Sequence, residues 1–463
     1  MQPDEGPFIA PLDNFLPWQG PSDSIELFAG PMTYRSNQAD NLAPVPGRIC
    51  FWLRSGSHVH WSVDLDAVDP AIANEWRLPT PDRSVGELRF DFLDRPMMVP
   101  ATRHSSGYGW IPGGFGQFSA APTPTPVRVI AHWINLPDLG GQTLMRPSGM
   151  DGRSHRWGGR WEIDLGPWHI TIDSRPDLGQ MYLAAKRSYL TVLTHTMEIR
   201  QLDDAPFAGE DAANLLDALH LGFSFALNRW AAPLLPVGFD GENHPVWSRW
   251  GPTHIDTPGL DALAWWNQYR PDDLRLLLTD LFARWSDPDE RDTLTFAVTT
   301  ALASGQNAFV EQRLMTSIAG IEGLSWVDEV ASAQVDEKKW KNRGAAWRIR
   351  RLLHKAQIPI YINAKNTPAL AKFAYDRGLG DGPSALIEVR DQLTHPKDRR
   401  QLYQPERLLG EASRLSSQYL DLLILHRLQY QGHTADRTKL DGWAGDSQPV
   451  PWHSNFSSSP TGS

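Results

Sequence analysis

A chain of 463 residues is long for one compact domain, and 41% apolar with 21% charged residues excludes disorder throughout. Twenty Trp and 37 Pro favour a β-rich, loop-rich section over a plain helical bundle, while the lone Cys50 excludes an intramolecular disulfide and a Cys-based zinc site. The net charge of -10 is uneven: residues 1–286 hold 22 basic and 33 acidic side chains, residues 287–463 hold 22 and 21. Only the second part can approach a polyanion without strong repulsion. The opening MQPDEGPFIAPLDNF has no basic or apolar leader pattern, and no apolar run approaches the ~18 residues of a spanning helix. The expectation is a soluble, cytoplasmic protein with no membrane partner.

Residues 1–205 read as β structure. In 58–65, Val59, Trp61, Val63 and Leu65 alternate with polar neighbours, the pattern of a half-buried strand. Residues 161–172 read as a hairpin around Gly166-Pro167, with further strands at 127–136 and 189–200. Between them, 105–116 and 121–126 are turn-rich, and the whole suggests a sandwich or barrel-like module. The period changes near 210, where Leu215, Leu216, Leu219, Phe223 and Leu227 mark a helical face. A Trp- and Pro-rich section at 230–266 leaves room for a return to the β module. From 272 the pattern is helical, with candidates at 272–286, 289–303, 307–325, 338–355, 366–376, 383–394 and 405–429, punctuated by prolines. The expected organisation is α+β: a β-rich domain to 205, a mixed section 206–285, an all-α domain 286–452 and a tail 453–463.

The segment ALIEVRDQLTHP, residues 385–396, leads an apolar helical stripe into Arg390 and, five residues on, His395 before a proline. On an ideal helix the two would stand roughly 140° apart. Pro396 disfavours the α region at His395, which loosens the helix there. A permanent cation with a planar donor fork and a group titrating near neutrality can hold a phosphodiester and move a proton. The same pair can simply close a helix C-terminus by bonding its free carbonyls. Glu322, on a helix face with Glu311 and Ile318, is a candidate carboxylate to fix Arg390 or His395, or else a solvated glutamate. Residues 338–355 carry eight Lys or Arg and no acid. That run suits a nucleic-acid backbone, with Arg350, Arg351, Lys338 and Lys341 as contacts, and equally a solvated helix face. His58 and His60 share a strand face without a third metal ligand, and no phosphate-cradling glycine loop is present. The Trp-rich strands can stack on sugars or bases, or fill a sandwich core.

The Arg390-to-His395 segment resembles the R-polar-x-x-x-H signature of the HEPN superfamily. FVEQRL at 309–314 and IAGIEGL at 318–324 resemble its earlier helix, and DGP at 381–383 leads into the motif helix as in ApeA-like HEPN domains of bacterial anti-phage defence. LLILHRLQYQG at 422–432 and VPW at 450–452 are similar to those proteins too, so the resemblance covers about 285–452. It implies a HEPN-like helical bundle and an endoribonuclease that needs no metal and no cofactor. Arg390 and His395 would be catalytic, Asp391 and Glu322 supporting, with RNA as substrate, a homodimeric cleft and a phage-derived or nucleotide activator. Asp391 departs from the Asn often found after the arginine, and adds negative charge beside an incoming phosphate. A non-catalytic HEPN module that binds nucleotides, RNA or a protein therefore stays open, as does a carbohydrate- or peptide-binding role for the β module.

Overall fold

The computed structural model describes residues 9–36, 42–52, 58–77, 84–105, 107–118, 125–146, 155–258, 264–305, 308–395, 400–439 and 446–453. Pro396, residues 121–124 and the tail from 454 lie outside the described residues. The chain is α+β, a β-rich region with a closed barrel followed by a helical region.

Strands β1 (Ser24–Ser36), β2 (Val45–Trp52), β3 (His58–Val63), β4 (Ser84–Phe92), β5 (Arg95–Ser105) and β6 (Tyr108–Ile111) pair in the order β4-β1-β2-β3-β6-β5. Since β5 also pairs with β4, the six strands close on themselves and leave no free edge among them. Alternation fills the interior: Val59 and Trp61 of β3 are buried, the Trp61 ring stacks with Tyr34 of β1, and its indole donates to the Thr102 carbonyl at 3.1 Å. Helix α1 (Pro70–Arg77) adds Trp76, edge-on to Trp61.

The sheet continues from β5 through β7 (Gly114–Phe118) into strands β8 (Arg128–Ile134), β9 (Gln142–Arg146), β10 (His155–Leu165), β11 (Trp168–Ser174), β12 (Leu193–Gln201), β13 (Pro233–Phe239) and β14 (Pro245–Trp250). Their spatial order is β7-β14-β13-β8-β12-β11-β10-β9, all antiparallel. The hairpin expected at 161–172 is β10–β11, turning at Gly166 with φ +58. The stretch 105–116, expected as turns, instead contributes β6 and β7. Its glycines serve close strand approach: a Cβ on Gly109 would lie 1.8 Å from the Thr102 carbonyl oxygen. Helices α2 (Leu178–Ser188) and α3 (Gly209–Leu227) complete this part.

The Trp- and Pro-rich section does return to the sheet, because β13 and β14 lie at its centre. The chain accordingly divides into a β unit, residues 1–220 with 231–260, and a helical unit, residues 221–230 with 261–463. The section expected as intermediate, 206–285, is split between them.

The helical unit contains α4 (Pro271–Trp285), α5 (Pro288–Gly305), α6 (Val310–Trp326), α7 (Glu337–Lys341), α8 (Ala345–Lys355), α9 (Pro368–Asp376), α10 (Gly382–Thr394), α11 (Arg400–Tyr403) and α12 (Leu408–Leu428). Helix α12 is buried over most of its circumference and is the unit's axis. It meets α6 closely enough for Ser317 and Ser416 to hydrogen-bond at 2.6 Å, and Gly320 leaves room for Leu420. The single helix expected over 338–355 is two: α7 is capped by the Asp336 carboxylate and ends at Asn342, and Gly344 in an extended conformation starts α8. Between α6 and α7, residues Val327–Ala331 form a π-turn. Among the described residues no helix is long and apolar enough to cross a membrane.

Candidate functional site at the end of the motif helix

Helix α10 is set by its first residues. The Asp381 carboxylate accepts from the Ser384 N–H at 2.9 Å, Pro383 occupies the first turn, and Ala385, Leu386 and Val389 are buried along one side. Arg350 of α8 donates to Asp381 at 2.5 Å and to the Ser384 hydroxyl at 2.9 Å, which fastens α8 to the start of α10. Burial alone would raise the Asp381 pKa, but the bonds from Arg350 and Ser384 outweigh it and hold the carboxyl below its ordinary value.

The helix ends at Thr394, and His395 leaves the helical region with φ -130 and ψ 65. Its N–H still donates to the Asp391 carbonyl at 2.8 Å, while its side chain is exposed. The Thr394 hydroxyl lies 3.2 Å from the carbonyls of Arg390 and Asp391. Carbonyls at this helix end are thus met by a hydroxyl and a backbone N–H, while the Arg390 guanidinium meets carboxylates.

Arg390 uses Nη1 on Glu322 Oε2 at 3.0 Å, and Nε and Nη2 on Asp391 Oδ1 at 3.0 and 2.9 Å. Glu322 comes from α6, so the pair ties α10 to α6. Its other oxygen lies 3.6 Å from the Arg348 Nη2 of α8, and the Arg348 guanidinium stacks over Trp340 at 4.1 Å. One carboxylate thus bridges two arginines from two helices. Arg390, Asp391 and Glu322 come together; His395 is exposed past the helix end and is tied to the group only by its backbone bond to the Asp391 carbonyl. Arg348 was missed in the sequence. It belongs to the basic run, but nothing in the run's composition distinguishes it from Arg350 and Arg351.

Those two arginines are already engaged. Arg350 is on Asp381, and Arg351 donates to the fully buried Glu329 of the π-turn at 2.5 Å. Lys341 lies 2.5 Å from Glu337, and Lys338 is exposed on α7. Half of the basic run, Lys341, Arg348, Arg350 and Arg351, is therefore charge-matched within the chain. A cleft of about 880 Å³ opens elsewhere on the helical unit, but Asp287, Asp289, Glu290, Asp292 and Asp328 line it and outnumber Lys355 and Arg427, the latter paired with Glu290 and Asp328. That sign repels phosphate.

In the β unit, His58 and His60 pack with aromatic rings, His60 lying 3.9 Å from the Trp110 centroid and 4.9 Å from that of Trp52. Burial and the neighbouring His58 and His104 push the His60 pKa down. Among the described residues no group of three or more His, Cys, Asp or Glu is placed to hold a metal ion.

Residues 122–259 match the YopA central domain and residues 287–448 the YopA C-terminal domain. The first match runs through β8 to β14; the second contains Glu322, Arg348, Arg390 and His395. A similar protein is the SPbeta prophage-derived uncharacterized protein YopA of Bacillus subtilis (strain 168), 24% identical over 304 residues that cover 64% of this chain and 67% of the relative. No solved structure matches.

Proposed function

We propose that the protein is a HEPN-type endoribonuclease acting in bacterial defence against phage. The observation that carries this reading is the placement of Arg390 at the end of α10, its fork fixed by Glu322 and Asp391, with the exposed His395 imidazole one turn beyond. In the proposed step His395 takes the proton of a ribose 2′-hydroxyl or gives one to the leaving 5′-oxygen, while the 2′-oxygen attacks phosphorus. Arg390 stabilises the negative charge that builds on the phosphoryl oxygens. The nucleophile is part of the substrate, so the step calls for no metal. The prophage origin of the YopA relative suits a protein that acts in conflict between phages and their hosts.

Within one chain Arg390 and Arg348 are balanced by Glu322 and Asp391, so a phosphate must displace a carboxylate. A second Arg390/His395 set from another copy would supply the missing positive charge. The protein is therefore expected to be at least a dimer, with light scattering at micromolar concentration well above the 52.0 kDa of one chain. A purely monomeric species with and without RNA would contradict this. The same charge balance favours a second reading, a non-catalytic HEPN module that binds nucleotides, RNA or a protein. RNA cleavage in EDTA that is lost in His395→Ala separates the two.

A further inference from the structure

One arginine beside the motif helix is held differently from the others. Arg350, Arg351 and Arg390 each donate a hydrogen bond to a carboxylate. Arg348, on the same helix as Arg350 and Arg351, donates none among the described residues. The carboxylate it faces is Glu322, whose Oε1 lies 3.6 Å from Nη2, beyond hydrogen-bond length. The Arg348 Nε is buried without a partner.

What holds this guanidinium is a ring face. It lies 4.1 Å from the centroid of Trp340. Trp340 is itself fixed: it is buried, its indole donates to the Ser325 hydroxyl of α6 at 3.3 Å, and it stands edge-on to Trp326. Stacking positions a guanidinium without consuming its N–H donors, which lie in the plane of the group. The Arg348 side chain is 18% exposed and that of Arg390 22%, so both reach solvent beside Glu322.

Glu322 indicates the shape of the guest. Its two oxygens are divided between Arg390, at 3.0 Å, and Arg348, at 3.6 Å. A phosphodiester likewise spreads one negative charge over two oxygens, and a planar fork with unused donors matches that geometry. An anion that bonds Arg348 gains donors the chain leaves idle. It then lies within reach of the carboxylate that Arg390 holds.

We propose that Arg348 is a phosphate-binding residue of the Arg390 site: it takes a non-bridging oxygen of the RNA phosphodiester, and the phosphate then competes with Glu322 for Arg390. The inference rests on the reading of Arg390 and His395 as a ribonuclease site and adds to it a residue from another helix.

The test separates binding from cleavage. A fluorescent 2′-O-methyl RNA of about twelve nucleotides, which has no free 2′-hydroxyl to attack, is bound to the full chain over a KCl series and followed by anisotropy. Cleavage of the unmodified RNA of the same sequence is measured alongside. Arg348→Gln should weaken binding about fivefold and lower the slope of log affinity against log salt by roughly 0.7, the loss of one phosphate contact on a single strand. In cleavage it should raise KM more than it lowers kcat, the reverse of His395→Ala. Arg348→Lys keeps the charge and should keep the slope, but bind more weakly than wild type because an ammonium lacks the planar fork. Unchanged affinity or an unchanged slope in Arg348→Gln, in a wild type that binds, would overturn the proposal and leave the ribonuclease reading standing. Where Arg348→Gln does not stay folded, Arg348→Lys decides: full affinity in that variant overturns the proposal. A wild type that binds but does not cleave, with the slope lowered in Arg348→Gln, would keep Arg348 as a phosphate contact and remove the ribonuclease reading. A wild type that binds no RNA would remove both.

Discussion

In the β unit Arg160 of β10 pairs with Asp173 of β11 across adjacent strands; in the helical unit Arg350, Arg351 and Arg390 each meet a carboxylate from another helix or the π-turn. A site with an unpaired group gains the full value of a hydrogen bond when a ligand arrives. One that is paired within the chain gains only the difference between old and new partners. Strand register alone makes the first pair, whereas the second set exists only once separate helices pack, and the proposed Arg390 site must release a carboxylate before it holds a phosphate.

The largest effect expected from breaking the helical network is at Asp381, which caps α10 and holds Arg350. Asp381→Ala should cost about 1–2 kcal/mol for the cap and lower the melting temperature by several degrees, measured by calorimetry. The sign of the pH dependence follows from the depressed carboxyl: its contribution is present above the ordinary value of 3.8 and lost as pH falls through the lower folded value. The gap between wild type and variant should therefore close in acid. An unchanged melting temperature at neutral pH would show that α10 does not depend on this cap.

A smaller and opposite effect is expected at Asp391, which competes with phosphate for Arg390. Asp391→Asn should strengthen RNA binding several-fold and steepen its salt dependence, since one negative charge leaves the site. Binding that weakens instead would mean that Asp391 positions the arginine more than it blocks it.

The smallest effect sharpens the comparison by its exception. Asp280 of α4 has a buried Oδ2 with no hydrogen-bond partner among the described residues, and burial, opposed by nearby Arg284, raises its pKa to about 6. A raised carboxyl contributes stability fully below about 4 and loses it as pH rises through about 6. Asp280→Asn should remove that decline, so the variant gains on wild type between about pH 4 and 6 in denaturant titrations. Parallel stability curves would place the carboxylate in water.

Local pattern made much of this fold legible. The helices of the second half were readable because prolines and the apolar stripe mark their starts, as at Pro271, Pro288 and Pro383, and the β10–β11 hairpin because Gly166 and alternation agree. The glycine-rich 105–116 was misjudged because Gly109 and Gly116 answer to close strand neighbours, the Thr102 carbonyl and the Ser248 hydroxyl, rather than to turns. The return of 233–250 to the β module was anticipated from its composition, but its place in the middle of the sheet was not, since its partners lie in β7 and β8. At the site, Glu322 could be singled out by helix spacing, while Arg348 could not, because its relation to Glu322 exists only once α6 and α8 pack. A fragment from residue 285 would be cut through the helical unit: it would lose α4 and residues 221–230, including Gly222 against Leu278 and Phe225 against Trp265.

The central claim is that Arg390 and His395 cleave RNA, and the most direct test is cleavage of a single-stranded RNA by the full chain in EDTA, wild type beside His395→Ala. Positioned acid–base groups contribute ~10²–10⁴-fold, so the variant should lose at least a hundredfold in rate while keeping its melting temperature, because His395 is exposed at the helix end. Cleavage that survives in the variant, or that is absent from the wild type in monomeric and oligomeric fractions alike, would contradict the account.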